Sequence, residues 1–297
     1  MTMTRRKFLG HVAASPLIPV AADLSRRSRE AAKAERKIER LGLQLYTVRD
    51  QIGKDLEGTL ARVAATGYKE VEFAGYFDHA PKDVRAILDR HKLTAPSAHV
   101  DLATIEKKLP QAIETSHVIG HKFVVNPFVD DEMRKQPDIW KRLAATFNKA
   151  GETCKKAGVQ FAYHNHHFEF VPVNGVMPFD LLLKECDPDL VKFELDLCWI
   201  TVARQDPLDY FQRHPGRFPL VHVKGLKKVP EGEPPVPFEK AIPNITDVGT
   251  NDIIDWKRIF AKSDQAGIRH YFVEHDAAPS PFDSIAASAK FLNALRF

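Results

Sequence analysis

From Leu41 to Phe297 the chain alternates between two hydrophobic periods. Short apolar runs rich in β-branched and aromatic residues predict strands over 41–46, 70–74, 93–99, 121–126, 159–164, 191–196, 219–223 and 270–274. Each run is followed by apolar positions at helical spacing, over 55–66, 81–91, 103–119, 137–157, 178–186, 207–213, 254–266 and 281–295. Thr66-Gly67, Ile119-Gly120, Ala157-Gly158 and Ala266-Gly267 stand where helices give way to strands. Glycine accepts the left-handed cap conformation there without a Cβ clash. Pro81, Pro137, Pro207 and Pro281 stand at helix starts, where the missing N–H costs no helical hydrogen bond.

Alternating units of this kind imply a parallel sheet covered by helices. Eight of them in about 250 residues match a (β/α)8 barrel. An open, doubly wound sheet is the alternative. It would place a glycine-rich phosphate loop after the first strand, where Leu45-Tyr46-Thr47-Val48-Arg49 stands instead. The longest connection, Gly225 to Asp252, carries Pro230, Pro234, Pro235 and Pro237. A loop that long in a compact domain is commonly a lid, and this one would hang over the barrel mouth.

The first forty residues follow a different logic. Thr4-Arg5-Arg6-Lys7-Phe8-Leu9-Gly10 precedes a weakly apolar stretch from His11 to Ala22. This resembles a twin-arginine export signal over residues 1–22. A charged linker or exposed helix over 23–40 and a barrel over 41–297 complete the expected organisation. The export machinery is then a partner and the location periplasmic or otherwise outside the cytoplasm. Passage in the folded state would suit a protein that takes up its metal before export.

With 44% hydrophobic and 28% charged residues among 297, the composition is ordinary for a globular protein and no stable membrane span is expected. The net charge of +4 comes from 43 basic and 39 acidic residues, and Arg5, Arg6, Lys7, Arg26, Arg27 and Arg29 supply much of the excess. The folded part is close to neutral, which argues against a nucleic-acid partner. Cys154, Cys186 and Cys198 are scattered and odd in number, so neither a disulfide framework nor a Cys-rich metal knuckle is expected. A homo-oligomer is compatible with all of this.

The informative residues close the strands. They are Gln44 and Tyr46, Glu72, His99, Asn126, His164 to His167, Glu194 and Asp196, His222 and Lys224, and Glu274 and His275. Apolar strands do not end in ionisable groups without reason, because a buried unpaired charge is costly. The barrel topology would bring all of these groups to one mouth, where barrel active sites lie. Any one of them has a bland reading, such as a hydrogen bond to a loop carbonyl or a solvated lysine. Asp196, His222 and Glu274 together read as a divalent-metal site, suited to Mn²⁺, Co²⁺, Fe²⁺ or Zn²⁺ rather than Ca²⁺.

The ordered series Leu43-Gln44-Leu45-Tyr46, Ser97-Ala98-His99, Tyr163-His164-Asn165-His166, Glu194-Leu195-Asp196, Val221-His222-Val223-Lys224 and Val273-Glu274 resembles the sugar-phosphate isomerase/epimerase superfamily, the xylose isomerase-like barrels that include endonuclease IV. The stretch from Val248-Gly249 to Asp255-Trp256 resembles the family's turn before helix seven. The resemblance covers residues 41–297. It implies one divalent ion, Mn²⁺ first, held by His164, Asp196, His222 and Glu274. His164 stands where the family has glutamate, which weakens the case for symmetric two-glutamate epimerisation.

The chemistry so implied is metal-assisted proton removal beside a ketone, giving an ene-diolate. Glu274 is the first candidate base. His164, His166, His99, Glu72 and Glu169 stand behind it, and Lys224 would hold the developing oxyanion. Gln44, Tyr46, Glu72, His99, Glu169 and Trp199 are the candidate substrate contacts; Phe168 is a further stacking candidate. The expected function is isomerisation or epimerisation of an unphosphorylated keto-sugar or oxidised glycoside. Elimination from a 3-keto-glycoside at the same site is the alternative, and a non-enzymatic sugar- or metal-binding role the second. An endonuclease-like role would need a basic groove that the near-neutral barrel lacks.

Overall fold

A computed structural model describes residues 36–297. The expected signal and most of the expected linker lie outside that range. Eight parallel strands close a barrel. They are β1 (Leu41–Gln44), β2 (Glu70–Phe73), β3 (Thr94–His99), β4 (Phe123–Asn126), β5 (Gln160–His164), β6 (Val191–Asp196), β7 (Leu220–Val223) and β8 (His270–Val273). β1 pairs with β8 through Leu43 and Val273, which removes both sheet edges. The outer helices are α1 (Leu56–Ala65), α2 (Pro81–Arg90), α3 (Leu102–Ile119), α4 (Ile139–Lys156), α5 (Pro178–Glu185), α6 (Pro207–Arg213), α7 (Trp256–Phe260) and α8 (Pro281–Ala294). Among the described residues, no helix is long and apolar enough to cross a membrane.

Local chemistry sets the ends of these elements. Asp55, Asp101, Asp206 and Asp255 each accept a backbone N–H in the first turn of the helix they precede. Gly120 ends α3 at φ 98°, and its N–H reaches the Ser116 carbonyl at 2.8 Å. α3 kinks at Lys108, where Pro110 removes a donor and crowds the preceding turn. Three boundaries differ from the sequence expectation. β1 stops at Gln44 because the Gln44 side chain accepts the Tyr46 N–H at 3.0 Å and turns the chain into a 3-10 turn. α4 starts after Pro137, since Asp138 takes a left-handed φ of 51°. The helix expected over 254–266 divides into α7 and a separate one-turn helix, Ser263–Ala266.

Residues 36–40 run without helix to β1. Arg36 and Phe297 exchange backbone hydrogen bonds of 3.1 and 2.9 Å, and Ile38 is buried. Within the barrel, Phe123, Val125, Ala162, Leu220 and Phe272 form an apolar plug. Phe272 lies across Gly42 so closely that a Cβ there would meet its ring at 2.5 Å. The plug seals the lower barrel and leaves polar side chains the upper layers.

The long connection after β7 is folded. Gly225–Leu226 pairs antiparallel with Ile245–Thr246, and a short helix spans Phe238–Ala241. Asp252 anchors its far end. One carboxylate oxygen accepts from Leu226 N–H (3.1 Å) and Ile254 N–H (3.0 Å), the other from Gly249 N–H (3.0 Å) and the Trp256 indole (2.6 Å). Asp252→Ala strands several of these donors and is expected to cost about 2–3 kcal/mol. Urea unfolding checks this; an unchanged midpoint would show that the connection needs no anchor.

Candidate active site

Strand register decides which ionisable groups meet. His164 on β5 is level with Glu194 on β6, and Asp196 is level with His222 on β7. Side chains two apart on a strand share a face, so Glu194 and Asp196 both point inward on successive layers. Asp196 also caps the short helix Leu197–Val202: its Oδ1 accepts the N–H groups of Cys198 (2.9 Å) and Trp199 (2.8 Å). That leaves Oδ2 aimed into the barrel, 3.8 Å from His222 Nδ1.

The inner layer is a carboxylate–imidazole cluster. Glu72 accepts hydrogen bonds from Gln44 Nε2 (2.7 Å) and Ser97 Oγ. His222 Nε2 lies 2.7 Å from Glu72 and 3.2 Å from Glu194. His99 Nε2 lies 2.8 Å from Glu194, and His164 Nδ1 lies 3.2 Å from it. In the outer layer His222 Nδ1 meets Glu274 at 2.8 Å. The Lys224 ammonium forms ion pairs with Glu274 (2.8 Å), Asp196 Oδ2 (3.1 Å) and Asp276 Oδ2 (3.0 Å), and donates a hydrogen bond to Asp276 Oδ1 (3.2 Å).

Burial and charge compete at every group. Burial pulls His99 down, but Glu72 and Glu194 prevail and raise it to about 9. His222 is raised well above the imidazole range because Glu194 and Glu274 overcome burial. His164 has no such excess of anions: burial and the neighbouring His222 cation lower it to about 3. His166 is pushed well down by burial. Burial raises Asp196 to about 6 against the pull of Lys224. Glu274 goes the other way, because Lys224 and His222 outweigh burial.

These shifts set a pH dependence for the metal-free chain. A raised imidazole contributes stability that is fully present below its unfolded pKa, about 6.5 for His99, and is lost as the pH rises through about 9. In chelator, the unfolding free energy is expected to fall across that window, by an amount on the order of 3 kcal/mol, and the urea midpoint with it. A midpoint that held or rose would contradict a protonated His99.

An open cavity of about 960 Å³ lies above the cluster. Tyr46, His99, His164, His166, Lys224 and Glu274 line it. Other sequence candidates do not. Gln44 and Glu72 are fully buried and bond to each other beneath the cavity. Glu169 is turned away: it accepts from the Tyr163 hydroxyl (2.6 Å) and the His166 N–H (2.9 Å), so it shapes the loop that carries His166. Trp199 is wholly buried against His167 and Phe238, so its faces are covered by protein. Phe168 is likewise buried, with the Arg134 guanidinium 3.6 Å above its ring.

The cavity also exposes residues that the strand ends did not indicate. Asp276 lines it and completes the Lys224 cradle. Its signal was available, since it stands two residues beyond Glu274. Tyr76, Phe128 and Phe238 come from loops whose sequences carry no such period. Phe238 and Ile242 belong to the long connection after β7, which therefore forms part of the wall.

The donor set fits a divalent ion. Asp196, His222 and Glu274 offer ligand atoms within 4.8 Å of one another, as do His99, His164, Glu194 and His222. Three of the four expected ligands meet in the first group. His164 falls in the second through its Nδ1, 3.2 Å from Glu194, while its Nε2 faces the first, 3.9 Å from Asp196 Oδ2. Glu194 Oε1 accepts no hydrogen bond although the residue is fully buried, and Asp196 Oδ2 has only the ion pair with Lys224 at 3.1 Å. A cation would satisfy such atoms.

Fold and site define a (β/α)8 barrel of the enzymatic type, with its ionisable groups gathered at the strand C-termini. The chain belongs to the xylose isomerase-like TIM barrel family, whose pattern matches residues 60–295. It is 24% identical over 275 residues to an inosose dehydratase of Lacticaseibacillus casei, covering 82% of this chain and 91% of that protein. A sugar phosphate isomerase/epimerase of Parabacteroides distasonis superposes with a TM-score of 0.70 at 27% identity, covering 87% of this chain and 95% of that one. The zinc-bound IolI protein has the same fold, with a TM-score of 0.67 at 16% identity over 84% of this chain and 95% of that one.

Proposed function

We propose that the protein eliminates a β-substituent, water or an aglycone, from an unphosphorylated keto-sugar or keto-polyol. One observation carries the reading. Glu274, Lys224, Asp276, His164, His166 and His99 all line one cavity, with the Glu274 carboxylate 2.8 Å from the Lys224 ammonium. The likeness to inosose dehydratases supports elimination as the outcome. The place of His164, where the sequence resemblance calls for glutamate, speaks against a symmetric epimerase.

Asp196, His222 and Glu274 would hold a divalent ion, Mn²⁺ by the donor set, which supplies polarisation of the ketone and its neighbouring oxygen. Glu274 is anionic and takes the proton from the carbon beside the ketone. The Lys224 ammonium, fixed by three carboxylates, faces the negative charge that develops on the ketone oxygen. His99 is protonated and gives its proton to the departing oxygen as that carbon–oxygen bond breaks. His164 and His166 are neutral and orient hydroxyls. Export through residues 1–22 belongs to the same proposal, because phosphorylated sugars are scarce outside the cytoplasm; fractionation of an Arg5→Lys/Arg6→Lys variant tests it.

The deciding experiment follows a 3-keto-glucoside and an inosose by proton NMR in D₂O with Mn²⁺-loaded protein. Loss of aglycone or water, abolished by chelation and restored by Mn²⁺, is the expected result. Deuterium entering an intact substrate would establish isomerase or epimerase chemistry instead, the second reading that the Parabacteroides structure favours. No exchange with either compound would overturn the reading.

A further inference from the structure

The cavity does not end at the catalytic groups. It continues as an arm along α3, lined by Asp101, Thr104, Lys108, Ala112 and Thr115. These positions recur at intervals of three and four residues, so one stripe of the helix faces the arm. A second stripe, Leu102, Ile105, Leu109 and Ile113, is buried in the protein. From Thr104 to Thr115 the arm runs roughly 16 Å at the rise of an α-helix. We propose that this arm binds a second sugar unit, the leaving group of the elimination, so that the substrate is an oxidised disaccharide or longer oligosaccharide. This inference deepens the elimination reading and rests on it.

The place of the arm follows from the order of the chain. His99 closes β3, and α3 opens at Leu102, so the imidazole that protonates the departing oxygen stands at the root of the arm. When Glu274 takes the proton beside the ketone, the electron pair of that carbon–hydrogen bond forms the carbon–carbon double bond. The neighbouring carbon–oxygen bond breaks, its electron pair leaves with the oxygen, and the oxygen takes the His99 proton. The second sugar departs as an alcohol. It extends away from His99, and the arm is the space it meets. Departure of water would leave the arm empty, and the whole cavity of about 960 Å³ is more than one sugar ring fills. Pockets of that size, in a range of roughly 300–1,000 Å³, hold ligands of several rings.

The walls match a sugar. Tyr76 and Phe128 both line the cavity. Tyr76 is fixed from behind: His121 Nδ1–H donates to the Ala95 carbonyl at 2.6 Å, so its Nε2 accepts the Tyr76 hydroxyl at 3.0 Å. Burial keeps that imidazole neutral, pushed down to about 4. With its donor spent, Tyr76 offers the arm its ring, as Phe128 does. Asp101 is spent on the helix cap, accepting from the Thr104 N–H at 2.9 Å and the Thr104 hydroxyl at 2.7 Å. Lys108, Gln111 and Thr115 therefore supply the polar edge. A sugar presents an apolar C–H face to the rings and hydroxyls to that edge; a flat aryl group would leave the edge without partners.

The test is binding, which needs no turnover. Calorimetry on the full chain compares methyl β-glucoside, cellobiose and 4-nitrophenyl β-glucoside. Cellobiose is expected to bind about tenfold more tightly than methyl β-glucoside or better, and Ala112→Trp, which fills the arm, is expected to remove that advantage. The ligands are compared on the wild type, so the test stands whether or not the variant folds. Equal affinities for cellobiose and methyl β-glucoside would overturn the second-sugar site. Tighter binding of the nitrophenyl glucoside than of cellobiose would overturn it too, because the arm would then select an aromatic group. A cellobiose advantage in a protein that eliminates nothing from a keto-sugar would instead remove the elimination reading and leave the second-sugar site standing.

Discussion

Glu274→Gln is expected to lower kcat/KM on a keto-sugar substrate by about 10³–10⁴-fold, at the upper end of what one positioned base supplies. Glutamine keeps the shape of the side chain and a carbonyl oxygen for the Lys224 ammonium, 2.8 Å away in the wild type. It cannot accept the carbon-bound proton. Deuterium exchange beside the ketone should therefore fall in parallel with elimination, and far-ultraviolet circular dichroism should be unchanged. A variant that exchanges deuterium at the wild-type rate would move the base to another group lining the cavity, with His166 the next in line.

Lys224→Met is expected to be the most damaging substitution for stability. The ammonium is 1% exposed and sits between Asp196, Glu274 and Asp276. Removing it leaves buried carboxylates without their cation, which costs about 3–5 kcal/mol. The pH dependence of the Glu274 contribution should also change sign. In the wild type, burial raises Glu274 but Lys224 and His222 hold it well below the carboxylate range. Its contribution is present above the unfolded carboxylate pKa and is lost as the pH falls through the depressed value. Without Lys224, burial prevails and the folded pKa rises, so the variant loses stability as the pH rises. Urea unfolding of variant and wild type at pH 5 and 8, taken in chelator, checks this: the deficit of the variant should be larger at pH 8. An equal deficit at both would sink the charge argument at this site.

The large expected effects sit at residues that were legible in the sequence, while their partners were not. Glu274, Lys224, His222 and Asp196 each close an apolar run, and that position alone marks them for a barrel mouth. Asp276 escaped because it stands beyond its strand, although the spacing of two from Glu274 contained the signal. Trp199 and Glu169 were legible as residues and misplaced as contacts. Asp196 spends one oxygen on the helix that carries Trp199 and so buries the indole, and Glu169 is claimed by the Tyr163 hydroxyl. Local chemistry of that kind competes with the site for the same side chains, and periodicity does not register it.

The sequence by itself determined the architecture: the number of strands, their order, the helix caps and the end of the barrel where chemistry collects. These follow from hydrophobic period and from glycine, proline and aspartate at turns, which act over a few residues. Only the tertiary structure decided which ionisable groups face each other. That rests on register around a closed sheet, which makes His164 level with Glu194 and Asp196 level with His222. A shift of one residue in either pair would turn the side chains to the other face. The division of the histidines between an outer and a deeper group is thus a property of closure, and no local pattern in the chain encodes it.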